Sequence, residues 1–205
     1  MGELVKLRPE AVRAEFDLVE ACRRGDRDAL QRVFTTHSPY IERLLARILG
    51  PHADVEDVLQ STFVAAIGAF ARFRGEAQVR TWLARIAIRI AQDRMRSAAH
   101  RRRGSVPDLD EVADDRARPE HAEGDFDARR KLDRLYAHLQ AIGAKKQLAF
   151  VLHVFEGHPL EEVAALTGAS VTATKSRVFW ARRELLRRAA RDPLLRDLID
   201  ERSSP

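Results

Sequence analysis

At 205 residues and 45% hydrophobic content, the chain is long enough for one or two small domains with a buried core. It carries 36 basic against 31 acidic residues, a formal charge of +5 and a pI near 9.9, so a polyanionic partner is expected and the distribution of charge matters more than its total. A single cysteine, Cys22, excludes a disulfide framework or multi-cysteine metal site and reads as a buried thiol in a reducing cytosol; no signal peptide or membrane span is expected, because no run reaches ~18 apolar residues.

Glycine and proline are sparse and fall between segments of helical period, and no strand pattern appears. A first helix runs to Arg24, with Gly25 as its stop. Asp26 opens a second that continues to about Leu49, with Ser38-Pro39 as a point of irregularity, before Gly50-Pro51 breaks the chain. Asp54 then has the position of an N-cap, and "VEDVLQSTFVAAIGAFARF" follows with apolar helical spacing as far as Gly75.

The next helix, about Val79 to Arg102, contains "TWLARIAIRIAQDRMR". At about 100° per residue, Val79, Leu83, Ile86 and Ile90 fall on one side and Arg85, Arg89, Gln92 and Arg96 on the other. Like charges four apart weaken an isolated helix by a few tenths of a kcal/mol, so stacking Arg85 on Arg89 costs the isolated helix stability and leaves open what the arginine row faces.

Charge comes in blocks. Seven arginines and one Asp lie between Arg85 and Arg103, nine acids and two arginines between Ser105 and Asp127, and seven basic residues and one Glu between Lys175 and Arg191. The acidic block has few large apolar residues and the composition of a mobile linker. The expected fold is therefore all-α: two small helical domains, 1–103 and 126–205, joined by an acidic flexible linker, 104–125.

After the linker come "FDARRKLDRLYAHLQAI", "KKQLAFVLHVFE" ending at Gly157, a short helix "LEEVAALT", and a longer one from Val171 to about Ala190. The last two have the layout of a helix-turn-helix, with small Ala164 at the crossing, Gly168 as left-handed turn residue and Ser170 as N-cap. Val171, Thr174, Val178, Ala181 and Leu185 form the inner stripe; Thr172, Ser176, Phe179, Arg183 and Arg187 lie opposite, with Lys175 and Trp180 at the margins. Hydroxyls, long cations and aromatics on one face suit base edges, phosphates and thymine methyls in a major groove. The alternative is that Phe179 and Trp180 pack against the helix of residues 126–141 while the arginines are merely solvated.

Catalysis finds no support. There is no P-loop, GxSxG or HExxH, and the seven histidines lack metal-ligand spacing, so no catalytic residue, metal site or cofactor is expected.

The stretch "DVEDVLQSTFVAAIGAFARFRGEAQVRTWLARIAIRIAQDRMR" resembles region 2 of extracytoplasmic-function sigma factors, and "FEGHPLEEVAALTGASVTATKSRVFWARREL" resembles their region 4; with the flanking helices the likeness spans roughly residues 15 to 190. It implies a cytoplasmic promoter-recognition subunit, a monomer when free, that binds core RNA polymerase and promoter DNA and commonly has a cognate anti-sigma factor. By this resemblance Thr81, Trp82, Arg85, Arg89 and Gln92 would meet the minus-ten element, where unpaired bases stack on aromatics and cations hold phosphates; for Trp82 a core-packing role stands beside the DNA role. Thr172, Lys175, Ser176, Phe179 and Trp180 would contact the minus-thirty-five duplex, with Arg177 and Arg183 on phosphates.

Asp57, Gln60 and Phe63 are carried over as contacts to the coiled coil of the largest polymerase subunit, while capping is the competing role for Asp54 and Asp57. The chain departs from the family at Arg89, where asparagine is frequent, at "AIGAKKQ" in place of an "LP" opening, and at Thr172-Ala173-Thr174 in place of Gly-Thr-Val. The acidic linker invites two readings, an RNA mimic in the polymerase exit channel or a screen over the chain's own basic helices, against a default of plain solvation. A helix-turn-helix regulator acting without polymerase is the alternative function; it leaves the N-terminal block unexplained.

Overall fold

Helix α1 (Pro9–Arg23) ends at Gly25, whose φ of 78° turns the chain into the N-cap Asp26. The Asp26 carboxylate accepts the N–H groups of Asp28 and Ala29 at 2.9 and 3.0 Å and so starts α2 (Arg27–Leu49), which runs through Pro39 without a break. Its buried row is Ala29, Val33, Ile41, Leu44, Leu45, Ile48 and Leu49. The computed structural model describes residues 9–51, 53–75, 77–104 and 123–196, and no strand occurs among them. The segment 105–122, and with it both readings of the acidic linker, lies outside the described residues.

Asp54 caps α3 (Val55–Ala69) by accepting the Asp57 N–H at 3.1 Å. The helix expected to reach Gly75 stops at Ala69 instead, and a single 3-10 turn, Phe70–Arg72, tightens the chain so that Phe70 and Phe73 both enter the core. Helix α4 (Val79–Gly104) buries Val79, Leu83, Ala84, Ala87, Ile88 and Ala91. Ile86 and Ile90, assigned by periodicity to the inner row, are only partly buried at its margin. The three alanines explain the rotation: they add little hydropathy, yet their small side chains let neighbouring helices approach closely and draw the contact stripe toward them.

The second half comprises α5 (Glu123–Ala141), α6 (Ala144–Phe150), α7 (Leu160–Thr167) and α8 (Val171–Ala189). The helix expected to run on to Gly157 widens after Phe150 into a π turn, Val151–Phe155, where the Glu156 N–H reaches the Val151 carbonyl at 3.0 Å.

The halves pack directly on one another. The main core formed by α1 to α4 also contains Leu148, Ala149, Val151, Leu152, Val163 and Leu166, and α4 touches both α6 and α7. At the junction the last turn of α2 is capped from the other half: Gln147 Nε2 donates to the Ile48 carbonyl at 2.9 Å, and Tyr136 Oη to the Arg47 carbonyl at 3.0 Å. These are carbonyls that a helix end leaves without intrahelical donors. The Arg47 guanidinium pairs with Glu156 at 2.6 Å alongside, and burial pushes the Tyr136 phenol above its ordinary value.

A second cluster of Tyr136, Leu139, Ile142, Ala181 and Leu185 holds α5 to α8. Beyond α8, buried Asp192 meets Arg134 at 2.9 Å, His138 at 2.8 Å and the Leu194 N–H at 3.0 Å. Burial alone would raise this carboxyl, but the bonds from Leu194, His138 and Arg134 outweigh it and hold it below the ordinary Asp value.

Candidate nucleic-acid interface

Gly168 ends α7 in the left-handed conformation (φ 61°, ψ 40°), its N–H returning to the Ala164 carbonyl, and this turn sets α8 across α7. Ser170 Oγ accepts the Ala173 N–H at 3.2 Å, and the hydroxyl of buried Thr174 donates to the Ser170 carbonyl at 3.0 Å, so the polar member of the inner stripe is satisfied. Ala181 and Leu185 anchor the far end. Val171, expected in that stripe, stands in the first turn of α8 and is 42% exposed.

The outer face of α8 presents Thr172, Lys175, Ser176, Phe179, Trp180 and Arg183, with Arg177 partly covered. Phe179 and Trp180 are 58% and 52% exposed and meet edge to face at 5.3 Å, and the Arg183 guanidinium lies 5.5 Å from the Trp180 ring. The packing alternative therefore fails: α5 reaches α8 through Tyr136 and Leu139 against Ala181 and Leu185, on the other side of the helix. Two exposed aromatics cost solvation without adding to the core, and their rings extend the cationic surface with apolar area.

On α4, Arg85, Arg89 and Arg96 are exposed, Gln92 and Thr81 partly so. Arg96 pairs with Asp93, whereas no carboxylate among the described residues pairs with Arg85 or Arg89. Trp82 is half-buried, its ring 4.7 Å from those of both Phe70 and Phe73, which makes it a packing residue with one edge at the surface. Arg80, not among the expected site residues, lies over the Tyr40 ring at 3.7 Å and extends the cationic surface toward α2.

A third surface lies on α3. Asp57 and Gln60 are exposed, and the Asp57 carboxylate sits 3.3 Å from Arg94, but Phe63 is nearly buried with its ring 4.8 Å from Phe34. The exposed apolar groups here are instead Val64 (64%) and Ile67 (54%), which with Asp57 and Gln60 follow one another at three and four residues along a single face. The sequence carried a signal for them, since "FVAAIGAFARF" holds more apolar residues than one buried face requires. No helix among the described residues is long and apolar enough to cross a membrane.

The family model of Sigma-70 region 2 matches residues 33–102, and that of Sigma-70, region 4 matches residues 132–185. Among curated proteins the chain is similar to the RNA polymerase sigma-H factor of Pseudomonas aeruginosa, 30% identical over 88% of this chain and 95% of that one. It is also similar to the RNA polymerase sigma factor CarQ of Myxococcus xanthus, at 33% over 78% and 88%, and to the ECF RNA polymerase sigma-E factor of Escherichia coli, at 28% over 80% and 88%. Among solved structures, CnrH in complex with the cytosolic domain of CnrY matches with a TM-score of 0.59 at 26% identity, covering 87% of this chain and 99% of that one. The sigma factor RpoE of Bartonella quintana, in complex with the anti-sigma factor NepR, shares the fold with a TM-score of 0.55 at 21% identity, over 77% and 94%. Two sigma-70 regions in order, each with a cationic helix face among the described residues, and relatives named as ECF sigma factors establish that the chain belongs to the extracytoplasmic-function group of sigma-70 RNA polymerase sigma factors.

Proposed function

We propose that α4 and α8 are the two promoter-contacting helices of this sigma factor, carried on domains 1–103 and 126–205 with residues 104–125 between them. On α4, Thr81, Arg85, Arg89 and Gln92 meet the minus-ten strand, and Trp82 offers a ring edge to a base while its body packs on Phe70 and Phe73. On α8, Thr172, Lys175, Ser176, Phe179 and Trp180 face the minus-thirty-five groove, and Arg177 and Arg183 hold phosphates. The observation that carries this reading is the pair of exposed aromatics, Phe179 and Trp180, beside Arg183 on a helix whose other side is anchored in the core by Thr174, Ala181 and Leu185.

Core RNA polymerase docks on the α3 stripe of Asp57, Gln60, Val64 and Ile67, with Phe63 supporting it from beneath. An anti-sigma factor is a further partner: the Bartonella protein was solved in complex with the anti-sigma factor NepR. The protein acts in the cytoplasm and performs no catalysis of its own. A regulator working without polymerase would leave the α3 stripe and the region 2 match unused.

Transcription from sheared genomic fragments, with purified core polymerase with and without the chain, tests this. Start-site-specific transcripts are expected only when the chain is present, and their absence from every fragment overturns the reading.

A further inference from the structure

A hollow of about 300 Å³ lies where α5, the end of α8 and the turn after it meet, beyond the residues assigned to either promoter element. Arg134 and His138 enter it from α5, Arg187 and Arg188 from the last turn of α8, and Arg191 from past the end of that helix, around buried Asp192. The Asp192 carboxylate is fully engaged: Arg134 donates to Oδ2 through Nε and Nη2, both at 2.9 Å, His138 meets the same oxygen at 2.8 Å, and the Leu194 N–H reaches Oδ1 at 3.0 Å. Arg188 pairs with Glu184 at 3.2 Å. No carboxylate among the described residues pairs with Arg187 or Arg191, two like charges four positions apart on the wall of one hollow. Cations suit the negative end of α8, but the helix dipole does not account for Arg134, which comes from another helix, or for the concave arrangement of the group.

We propose that this hollow binds a compact diphosphate, as free pyrophosphate or as the diphosphate end of a nucleotide. Two guanidiniums without carboxylate partners call for a multiply charged anion. Guanidinium forks that converge from two helices also need acceptor oxygens pointing in several directions. A carboxylate presents two oxygens in one plane, which a single fork exhausts, whereas a phosphoryl group presents them tetrahedrally. The volume is at the small end of the range for ligand sites, enough for the two phosphoryl groups while a nucleoside stays outside. Asp192 acts as a positioning residue. By accepting from Nε and Nη2 of Arg134 it fixes that guanidinium and leaves Nη1 out of the pair, and because Arg134 matches its charge, it does not repel the anion. The site stands whether or not the outer face of α8 meets a duplex.

Thermal unfolding of the full chain tests this. Sodium pyrophosphate at about 1 mM should raise the midpoint by about 3 °C, the shift that a site with a Kd of about 0.1 mM gives in a chain of this size, and sodium sulfate at equal ionic strength by less than about 1 °C. Arg187→Gln with Arg191→Gln removes two exposed side chains and no ion pair, so the free variant should unfold at the parent's temperature while its pyrophosphate shift falls below about 1 °C. Arg182→Gln with Arg183→Gln, an equal loss of charge elsewhere on α8, should leave the shift in place. ADP distinguishes the two sources: a shift equal to that of pyrophosphate assigns the end of a nucleotide, and a shift from pyrophosphate alone assigns the free anion. No shift with pyrophosphate, or one that persists in the Arg187 and Arg191 double variant, overturns the site. An equal shift from sulfate marks an adventitious ion only, and an equal shift from a glutamate peptide of the same charge makes the hollow a docking point for acidic protein segments; either result overturns the diphosphate assignment. If the shift is absent and the double variant instead binds a minus-thirty-five duplex at least tenfold more weakly, both arginines belong to the DNA surface and the proposal falls.

Discussion

The side-chain amide of Gln147 and the main-chain carbonyl of Ile48 meet at 2.9 Å across the junction of the two halves, both in fully buried residues. Gln147→Ala removes the only side-chain donor shown for that carbonyl and opens a void beside it. A buried acceptor left unsatisfied costs about 1–3 kcal/mol, and the void adds to it, so a loss of about 3 kcal/mol is expected in urea unfolding of the full chain. Gln147→Glu keeps the volume but sets a carboxylate against the carbonyl. It should be at least as destabilising at neutral pH and recover in part in acid, where the protonated group can donate.

Gly50, at the end of α2, has φ 96° and ψ 174°, a conformation closed to residues with a Cβ, and a Cβ there would lie 2.8 Å from the Tyr136 ring. Gly25 also has positive φ, at 78°, but open space around it. Gly25→Ala is expected to cost about 1 kcal/mol for backbone strain alone, and Gly50→Ala clearly more. Adding Tyr136→Ala to Gly50→Ala should remove the steric part only, and a double-mutant cycle in thermal unfolding measures how much that is.

Much of this architecture was legible locally. Asp26, Asp54 and Ser170 cap helices, and Gly168 turns the chain, because each acts within a few residues of itself. Helical period alone sets Phe179 opposite Ala181 and Leu185 and Trp180 at the margin of the same outer face, and both are exposed. Periodicity erred where tertiary contact decides: the alanines of α4 took the stripe from Ile86 and Ile90, and Val171 is left 42% exposed. The junction contacts of Tyr136 and Gln147 join residues about a hundred positions apart through polar atoms, and no hydropathy pattern encodes such pairs. The blocks of opposite charge were visible, but not that the halves meet through a mainly apolar core.

Asp192 supplies a pH-dependent contribution to the C-terminal half. Its carboxyl is held below its unfolded value by Leu194, His138 and Arg134 against the cost of burial, and Arg187, Arg188 and Arg191 line the same hollow. The unfolded chain therefore binds this proton more readily. The stabilisation is complete above the unfolded value of about 4 and is lost as pH falls through the lower folded value. Asp192→Asn should cost about 2 kcal/mol at pH 7, and the gap from the parent protein should narrow steadily as the urea titration is repeated toward pH 3.

The apolar stripe on α3 is expected to serve association and not folding. Val64 and Ile67 are more than half exposed, so Val64→Asp with Ile67→Asp removes little core contact, and the unfolding midpoint should move by no more than about 0.5 kcal/mol per site. Affinity for core polymerase, followed by fluorescence anisotropy, should fall at least tenfold, as expected for truncating apolar anchors at the centre of an interface. An unchanged affinity would return the polymerase contact to another face.

On α8 the aromatic and cationic residues should separate by salt dependence. Arg183 is assigned to one phosphate, so Arg183→Ala is expected to weaken binding to all duplexes and to flatten the slope of log K against log salt by about 0.9. Phe179→Ala and Trp180→Ala change no ionic contact: the slope should hold, while discrimination between the cognate minus-thirty-five duplex and a scrambled one falls. Because the Trp180 ring also lies 5.5 Å from the Arg183 guanidinium, its removal frees that side chain, and a small additional loss of non-specific binding is expected from Trp180→Ala but not from Phe179→Ala. Equal slopes for all three variants would mean that Arg183 holds no phosphate, and a preserved sequence preference in both aromatic variants would assign the reading of bases to Thr172, Lys175 and Ser176 alone.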